Sequence, residues 1–375
     1  MYQESELVRI AKRENNSKRS YLVVNPLQGK HMAADPGAAL ALFRALADTV
    51  KQSCQGKRTL VIGFAETATA IGAAVAVELG AYYLQTTREH IEGAGYLYFS
   101  EEHSHASQQK LVKNQLDEVM PSIDRVLFAE DELTTGKTIL NLVNLMQREY
   151  PGRTEYAAAS LLNGMDDAAR AVYQSRGIGI YYLAGINHAS YEMKLQQYSQ
   201  KGDYISWMPG RQSLEADSGA GEKGAQEFEI RGWMDARQLV SAAAYEKACE
   251  KLCQEIHRML QEKLSGRVLV LGTEEFMYPA LLAAQSLSGP GVKTWFHATT
   301  RSPIAVFREP CYPLHIRHEL PGIYDKNRRT FVYDTGSYDA AVIITDSHSR
   351  EREGMDALVR AVSGGTENVY TIWWK

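Results

Sequence analysis

The sequence predicts an α/β protein: a doubly wound parallel sheet followed by a second α/β unit. Three observations carry that reading. Short apolar runs alternate with stretches of helical spacing along most of the 375 residues, the text of strand–helix–strand crossovers. One run, Val126 to Ala129, leads into Glu130 and Asp131, then Thr134-Thr135-Gly136-Lys137-Thr138, then Ile139, Leu140, Leu142, Val143 and Leu145 at helical spacing. A strand buried on both faces, a polar turn and a helix start together describe a binding device. Between 209 and 226 the apolar period lapses into Gly, Ser, Ala and charge, as in a linker or flexible loop. The expected divisions are therefore 1–208, a linker at 209–230, and a C-terminal domain at 231–375.

Composition narrows the function classes. With 45% hydrophobic and 23% charged residues the chain has an ordinary globular make-up. Its net charge of -4 gives no electrostatic ground for a nucleic-acid or anionic-membrane partner. Four scattered cysteines cannot make a disulfide framework; Cys249 and Cys253, four apart on a helix, read as reduced thiols rather than a metal pair. The acidic start lacks a signal-peptide core, and no run approaches the ~20 apolar residues of a membrane span. A cytoplasmic protein is expected.

Taken in order, Tyr21 to Val24 is a short strand entering the turn Asn25 to His31. Lys30 and His31 there read equally as solvated surface or as groups reaching over a pocket. Residues 1–20 look polar and peripheral. Pro36 and Gly37 open a helix with Leu40, Phe43, Leu46 and Val50 on one face. Thr59 to Gly63 is a buried strand, Phe64 to Thr69 a loop of small residues, and Ala70 to Leu79 an Ala-rich helix. Such a loop lets backbone N–H groups approach an anion, and the helix adds its positive end. Ala81 to Gln85 is the next strand, continued by Thr86-Thr87-Arg88. About thirty polar, Gly-punctuated residues follow, an insertion of the kind that forms lids or stays disordered. His103 and His105 within it read as solvated histidines before a metal pair.

After the central turn, Glu155 to Leu162 and Ile178 to Ala184 are strands around a helix at 166–176. Asn163, Gly164, Asn187 and His188 become site candidates by position, at the carboxyl edge of a parallel sheet. Trp233 to Leu264 reads as one long amphipathic helix. The second unit follows with strands at Arg267 to Gly272, Lys293 to His297, Thr330 to Asp334, Ala340 to Thr345 and Val369 to Trp374, and helices at Met277 to Leu287 and Met355 to Val362. Leu60 to Gly63 with the later Thr86-Thr87-Arg88 parallels Leu269 to Gly272 with Thr299-Thr300-Arg301, and Asp346 would take the acidic pair's place. Duplication and generic strand–turn–helix text explain this equally well.

The order apolar run, acidic pair, two residues, Thr-Thr-Gly, one residue, Thr resembles the phosphoribosyl pyrophosphate (PRPP) motif of type I phosphoribosyltransferases. A Walker A loop would need Gly where Asp131 stands. Glu132 departs from the family, which usually has an apolar residue there. With Asn25 to His31 and Thr300-Arg301-Ser302-Pro303, the chain resembles a phosphoribosyltransferase joined to a TRSP domain, an architecture of bacterial stress and tellurite-resistance gene clusters.

The resemblance implies a sheet of the type I phosphoribosyltransferase kind and transfer of ribose 5-phosphate to a nucleobase-like acceptor, in making a nucleotide-like stress metabolite. Thr134, Thr135, Gly136, Lys137 and Thr138 would hold the 5′-phosphate, and Glu130 and Asp131 the ribose hydroxyls. Ala65, Glu66, Thr67, Ala68 and Thr69 would cradle pyrophosphate, with Arg88 offsetting its charge. Glu130, Asp131 and Arg88 would thus be the catalytic set. Mg²⁺ would arrive on PRPP with no dedicated protein ligands, and the enzyme would be a homodimer. Thr300, Arg301 and Ser302 would form a second site for a carboxylate or phosphate, or Arg301 would bridge the domains. The competing reading is a non-catalytic nucleotide- or PRPP-sensing regulator on the same fold.

Overall fold

Buried apolar runs become the central strands of two parallel sheets. The computed structural model describes residues 2–14, 19–99, 109–208, 224–349, 351–366 and 368–375. It divides into two units: Met1–Glu4, Leu40–His188 and Met234–Ala248 form the first, and Ser5–Ala39, Ala189–Trp233 and Cys249–Lys375 the second.

In the first unit, β1 (Thr59–Gly63), β2 (Tyr82–Gln85), β3 (Arg125–Leu133), β4 (Glu155–Asn163) and β5 (Gly179–Gly185) run parallel in the order β2-β1-β3-β4-β5. Helix α1 (Thr69–Leu79) connects β1 to β2, and α2 (Lys137–Glu149) connects β3 to β4. The chain leaves β1 toward β2 on one side and returns to β3 on the other. The loops after β1 and β3 therefore diverge and leave a crevice at the carboxyl edge. Close packing of α1 on β1 depends on two glycines: a Cβ on Gly72 would come 2.7 Å from the Gly63 Cα.

Three features differ from expectation. β3 continues past the acidic pair to Leu133, because β4 offers partners that far: Glu130 lies beside Ser160, Glu132 beside Leu162 and Leu133 beside Asn163. The expected helix from Trp233 starts only at Ala242. Ahead of it, Val240 and Ser241 pair antiparallel with Tyr83 and Tyr82 of β2, and the Gln85 N–H donates to the Ala236 carbonyl at 2.9 Å. The outer edge of β2 has unpaired backbone groups that this segment satisfies, a demand that outweighs helical periodicity. The insertion after Arg88, expected as a lid or a disordered segment, contains two paired strands, Tyr96–Phe99 antiparallel to Gln109–Val112. His103 and His105 lie outside the described residues.

In the second unit, β6 (Gln226–Ile230), β7 (Gly266–Gly272), β8 (Val292–Ala298), β9 (Ala340–Thr345) and β10 (Asn368–Trp374) form a parallel sheet in the order β6-β10-β9-β7-β8. β6 is the end of the segment expected as linker; residues 209–223 of it lie outside the described residues. Arg9–Lys12, expected to be peripheral, pairs antiparallel with Tyr21–Val24 and buries Ile10 and Ala11. Lys30 is fully buried, its Nζ donating to the carbonyls of Glu274 and Thr299, each at 2.8 Å. His31 is buried as well. Neither lies on a solvated surface.

The two sheets share more than strand order. Thr86 N–H donates to the Gly63 carbonyl at 2.9 Å, and Thr299 N–H to the Gly272 carbonyl at 3.1 Å. The Thr86 hydroxyl accepts from Ala65 N–H at 2.8 Å, and the Thr299 hydroxyl from Glu274 N–H at 2.9 Å. Ile62 lies beside Phe128 and Leu271 beside Ile343, so Asp131 and Asp346 occupy the same place. The two units thus share these hydrogen bonds and this register at the ends of their central strands.

Candidate active site

The carboxyl ends of β1 and β3 bring the candidate residues of the first unit together. Along β3, side chains alternate between faces, so Asp131 points opposite to Glu130 and Glu132. Asp131 turns to the loop after β1, where the Thr67 hydroxyl donates to its Oδ1 at 2.9 Å. That bond ties the expected pyrophosphate loop to the expected ribose carboxylates. Burial, and then the charge of Glu132, push the Asp131 carboxyl up to about 6, against the hydrogen bond from Thr67.

The loop after β1 is tightly held. Ala65, Glu66, Ala68 and Thr69 are buried. Gln109 Nε2 donates to the Ala65 carbonyl at 2.7 Å, and the Thr86 hydroxyl donates to Gln109 Oε1. Phe99 of the hairpin meets Phe64 edge to face, with ring centroids 5.9 Å apart. Arg88 sits half-buried just beyond Thr87, whose backbone pairs with Lys110 of the hairpin.

The hydroxyl turn closes on Gly136. Its φ of 71° is left-handed, and the Tyr173 hydroxyl donates to its carbonyl at 2.7 Å. A Cβ there would lie 2.6 Å from that hydroxyl, so the position calls for glycine on two counts. Burial, and then the charge of Glu130, raise the Tyr173 phenol. Helix α2 starts at exposed Lys137, whose N–H donates to the Thr135 hydroxyl at 3.3 Å. Thr134, Thr135 and Thr138 are half-buried around this helix start, where N–H groups without helical partners favour an anion.

Glu132 goes elsewhere. Its Oε1 accepts from the Thr134 hydroxyl at 3.1 Å and lies 3.2 Å from His188 Nε2. Gly164 has no side chain where the His188 ring passes. Sequence reasoning picked out Asn163, Gly164 and His188 by position, but nothing in it signalled the contact with Glu132. Tyr173 and Gln109 were missed entirely.

In the second unit the Arg301 guanidinium meets the chain's own acids. Nε donates to Glu274 Oε2 at 2.6 Å and Nη2 to Glu275 Oε1 at 3.1 Å, while Arg328 Nη1 donates to the same Glu274 oxygen at 2.7 Å. Thr300 is fully buried, its hydroxyl accepting from Ser302 N–H at 3.2 Å.

A family model described as a phosphoribosyl transferase matches residues 7–184, and one described as the TRSP domain C-terminal to it matches residues 236–362. The chain thus carries a phosphoribosyltransferase domain followed by a TRSP domain. No curated protein matches it. Among solved structures it is similar to adenine phosphoribosyltransferase from Rhodothermus marinus, at 15% identity over 48% of this chain and 96% of that one, TM-score 0.36. It is also similar to the Giardia lamblia enzyme complexed with 9-deazaadenine, at 18% identity over 48% and 95%, TM-score 0.35. Orotate phosphoribosyltransferase from Aeropyrum pernix shares 16% identity over 52% and 96%, TM-score 0.33.

In the phosphoribosyltransferase domain the acidic pair, the hydroxyl turn and the small-residue loop meet at one crevice. In the TRSP domain the equivalent loop carries Glu274 and Glu275, and its arginine is engaged by them. No helix among the described residues is long and apolar enough to cross a membrane.

Proposed function

We propose that the protein transfers ribose 5-phosphate from PRPP to a nitrogen of a nucleobase-like acceptor and releases pyrophosphate. The observation that carries this reading is the Thr67–Asp131 hydrogen bond at the switch point, beside a helix start closed by left-handed Gly136. Glu130 and Asp131 accept the ribose hydroxyls. Thr134 to Thr138 surround the 5′-phosphate with hydroxyls and helix N–H groups. Ala65 to Thr69 hold pyrophosphate, and Arg88 opposes its growing charge as the C1′–O bond breaks. Catalysis is then positioning and charge stabilisation.

The donors at this edge are carboxylate and hydroxyl oxygens, a set that suits a hard cation. Mg²⁺ arriving on PRPP would lie near Asp131 and Thr67, and when bound it neutralises pyrophosphate charge. A role in making a nucleotide-like stress metabolite, in the cytoplasm and as a homodimer, belongs to the same proposal.

The test is PRPP-dependent release of pyrophosphate with a panel of purine, pyrimidine and related heterocyclic bases. Release that requires one of them supports the reading. No release with any base, in a protein that still binds PRPP, favours a PRPP sensor.

A further inference from the structure

The loop after β1 takes its shape from residues outside it. Thr86 N–H donates to the Gly63 carbonyl at 2.9 Å, and Ala65 N–H donates to the Thr86 hydroxyl at 2.8 Å. The Ala65 carbonyl accepts from Gln109 Nε2 at 2.7 Å, and Gln109 Oε1 accepts from the Thr86 hydroxyl. The two ends of one side-chain amide thus close a ring through Thr86 and the Ala65 backbone. Ala65, Thr86 and Gln109 are all buried, so water cannot stand in for any of these partners.

The second unit meets the same demand with a different side chain. Ala65 and Glu274 are each the second residue past the first strand of their sheet. Glu274 N–H donates to the Thr299 hydroxyl at 2.9 Å, and the Glu274 carbonyl accepts from Lys30 Nζ at 2.8 Å. An amide in one unit and an ammonium in the other donate to the corresponding carbonyl. The donor therefore answers a need of the loop's shape and not of one local sequence. In the first unit it comes from a fastened place. Gln109 opens the second strand of the hairpin, where Thr87 N–H donates to the Lys110 carbonyl at 2.9 Å and Lys110 N–H to the Thr87 carbonyl at 3.2 Å. Phe99 of the hairpin also meets Phe64 edge to face.

We propose that Gln109 is a positioning residue for pyrophosphate recognition: its amide fixes the Ala65 peptide, and with it the loop that receives the diphosphate end of PRPP. The proposal rests on the reading of Ala65 to Thr69 as the pyrophosphate loop. Ala65 commits both its N–H and its carbonyl to the protein, so it sets the direction in which Glu66 and Thr67 leave the strand. Thr67 then reaches Asp131, where its hydroxyl donates at 2.9 Å. The hairpin, the loop and the ribose carboxylate are joined in that order through Gln109. The gain is preorganisation. Without the amide the Ala65 carbonyl and the Thr86 hydroxyl lose their buried partners, the peptide turns, and only a fraction of the molecules present a loop ready for the ligand.

The experiment is a calorimetric titration of the full chain with pyrophosphate and Mg²⁺, with PRPP and Mg²⁺, and with ribose 5-phosphate. Gln109→Met keeps the length of the side chain and removes its amide. It should weaken pyrophosphate and PRPP by about 10-fold or more. Ribose 5-phosphate affinity should be unchanged, because that ligand belongs to the turn after β3. Thr86→Val breaks the same ring from the other side and should show the same selective loss. Thr86→Ser keeps the hydroxyl and should bind all of them as wild type does. A Gln109→Met protein with wild-type pyrophosphate affinity overturns the role of Gln109, and so does an equal loss of every ligand in both Gln109→Met and Thr86→Val. Wild-type protein that binds ribose 5-phosphate but no pyrophosphate would instead overturn the loop assignment on which that role rests.

Discussion

Asp131→Asn should stabilise the fold while disabling the site, and both effects can be sized. The carboxyl is raised from 3.8 to about 6, first by burial and then by Glu132. A folded-state value above the unfolded one means that folding favours the protonated acid, so ionisation costs stability. That cost is absent below the unfolded value, grows between the two, and is complete above about pH 6. A difference of about two pH units corresponds to about 3 kcal/mol. Asp131 keeps some contact with solvent, which reduces this to about 1–2 kcal/mol. Asparagine resembles the protonated acid and can still accept from Thr67. The variant should therefore be more stable than wild type near pH 8 by about 1–2 kcal/mol, a rise of a few degrees in melting temperature. The two proteins should converge near pH 4. Losing a charged acceptor for the ribose hydroxyls should weaken PRPP by about 2–3 kcal/mol, some 30- to 150-fold. Scanning calorimetry at both pH values measures the first effect. A variant no more stable than wild type near pH 8 would refute the assignment of a half-buried carboxylate whose ionisation opposes folding.

Two further outcomes follow from the packing. Gly136→Ala must adopt a left-handed φ and also displace the Tyr173 hydroxyl, so it should lose about 2 kcal/mol or more together with PRPP affinity; melting temperature and a binding isotherm check both. Arg301→Ala leaves buried Glu274 and Glu275 short of a cation and should destabilise the TRSP domain by about 3–5 kcal/mol. PRPP affinity should be unchanged, as denaturant unfolding beside a PRPP titration would measure.

Local text made much of this legible. The β1–α1–β2 run and the acidic–hydroxyl turn declared themselves because a buried strand, a small-residue loop and a helix start are each written within a few residues. Long-range demands were not legible. Val240 and Ser241 look helical until the open edge of β2 is known, and β3 outruns its acids only because β4 is there to pair with it. Lys30 read equally as a surface cation or a group over a pocket, whereas two backbone carbonyls from distant loops accept from its buried ammonium. The contact between Glu132 and His188 has no trace in spacing.

The most direct measurement is a calorimetric titration of the full chain with PRPP and Mg²⁺. One PRPP should bind per chain, because the TRSP loop arginine already faces Glu274 and Glu275, and Thr135→Val should abolish binding. Wild-type protein that takes up no PRPP, or a Thr135→Val protein that binds it as well as wild type, would contradict a sugar-phosphate site at this turn.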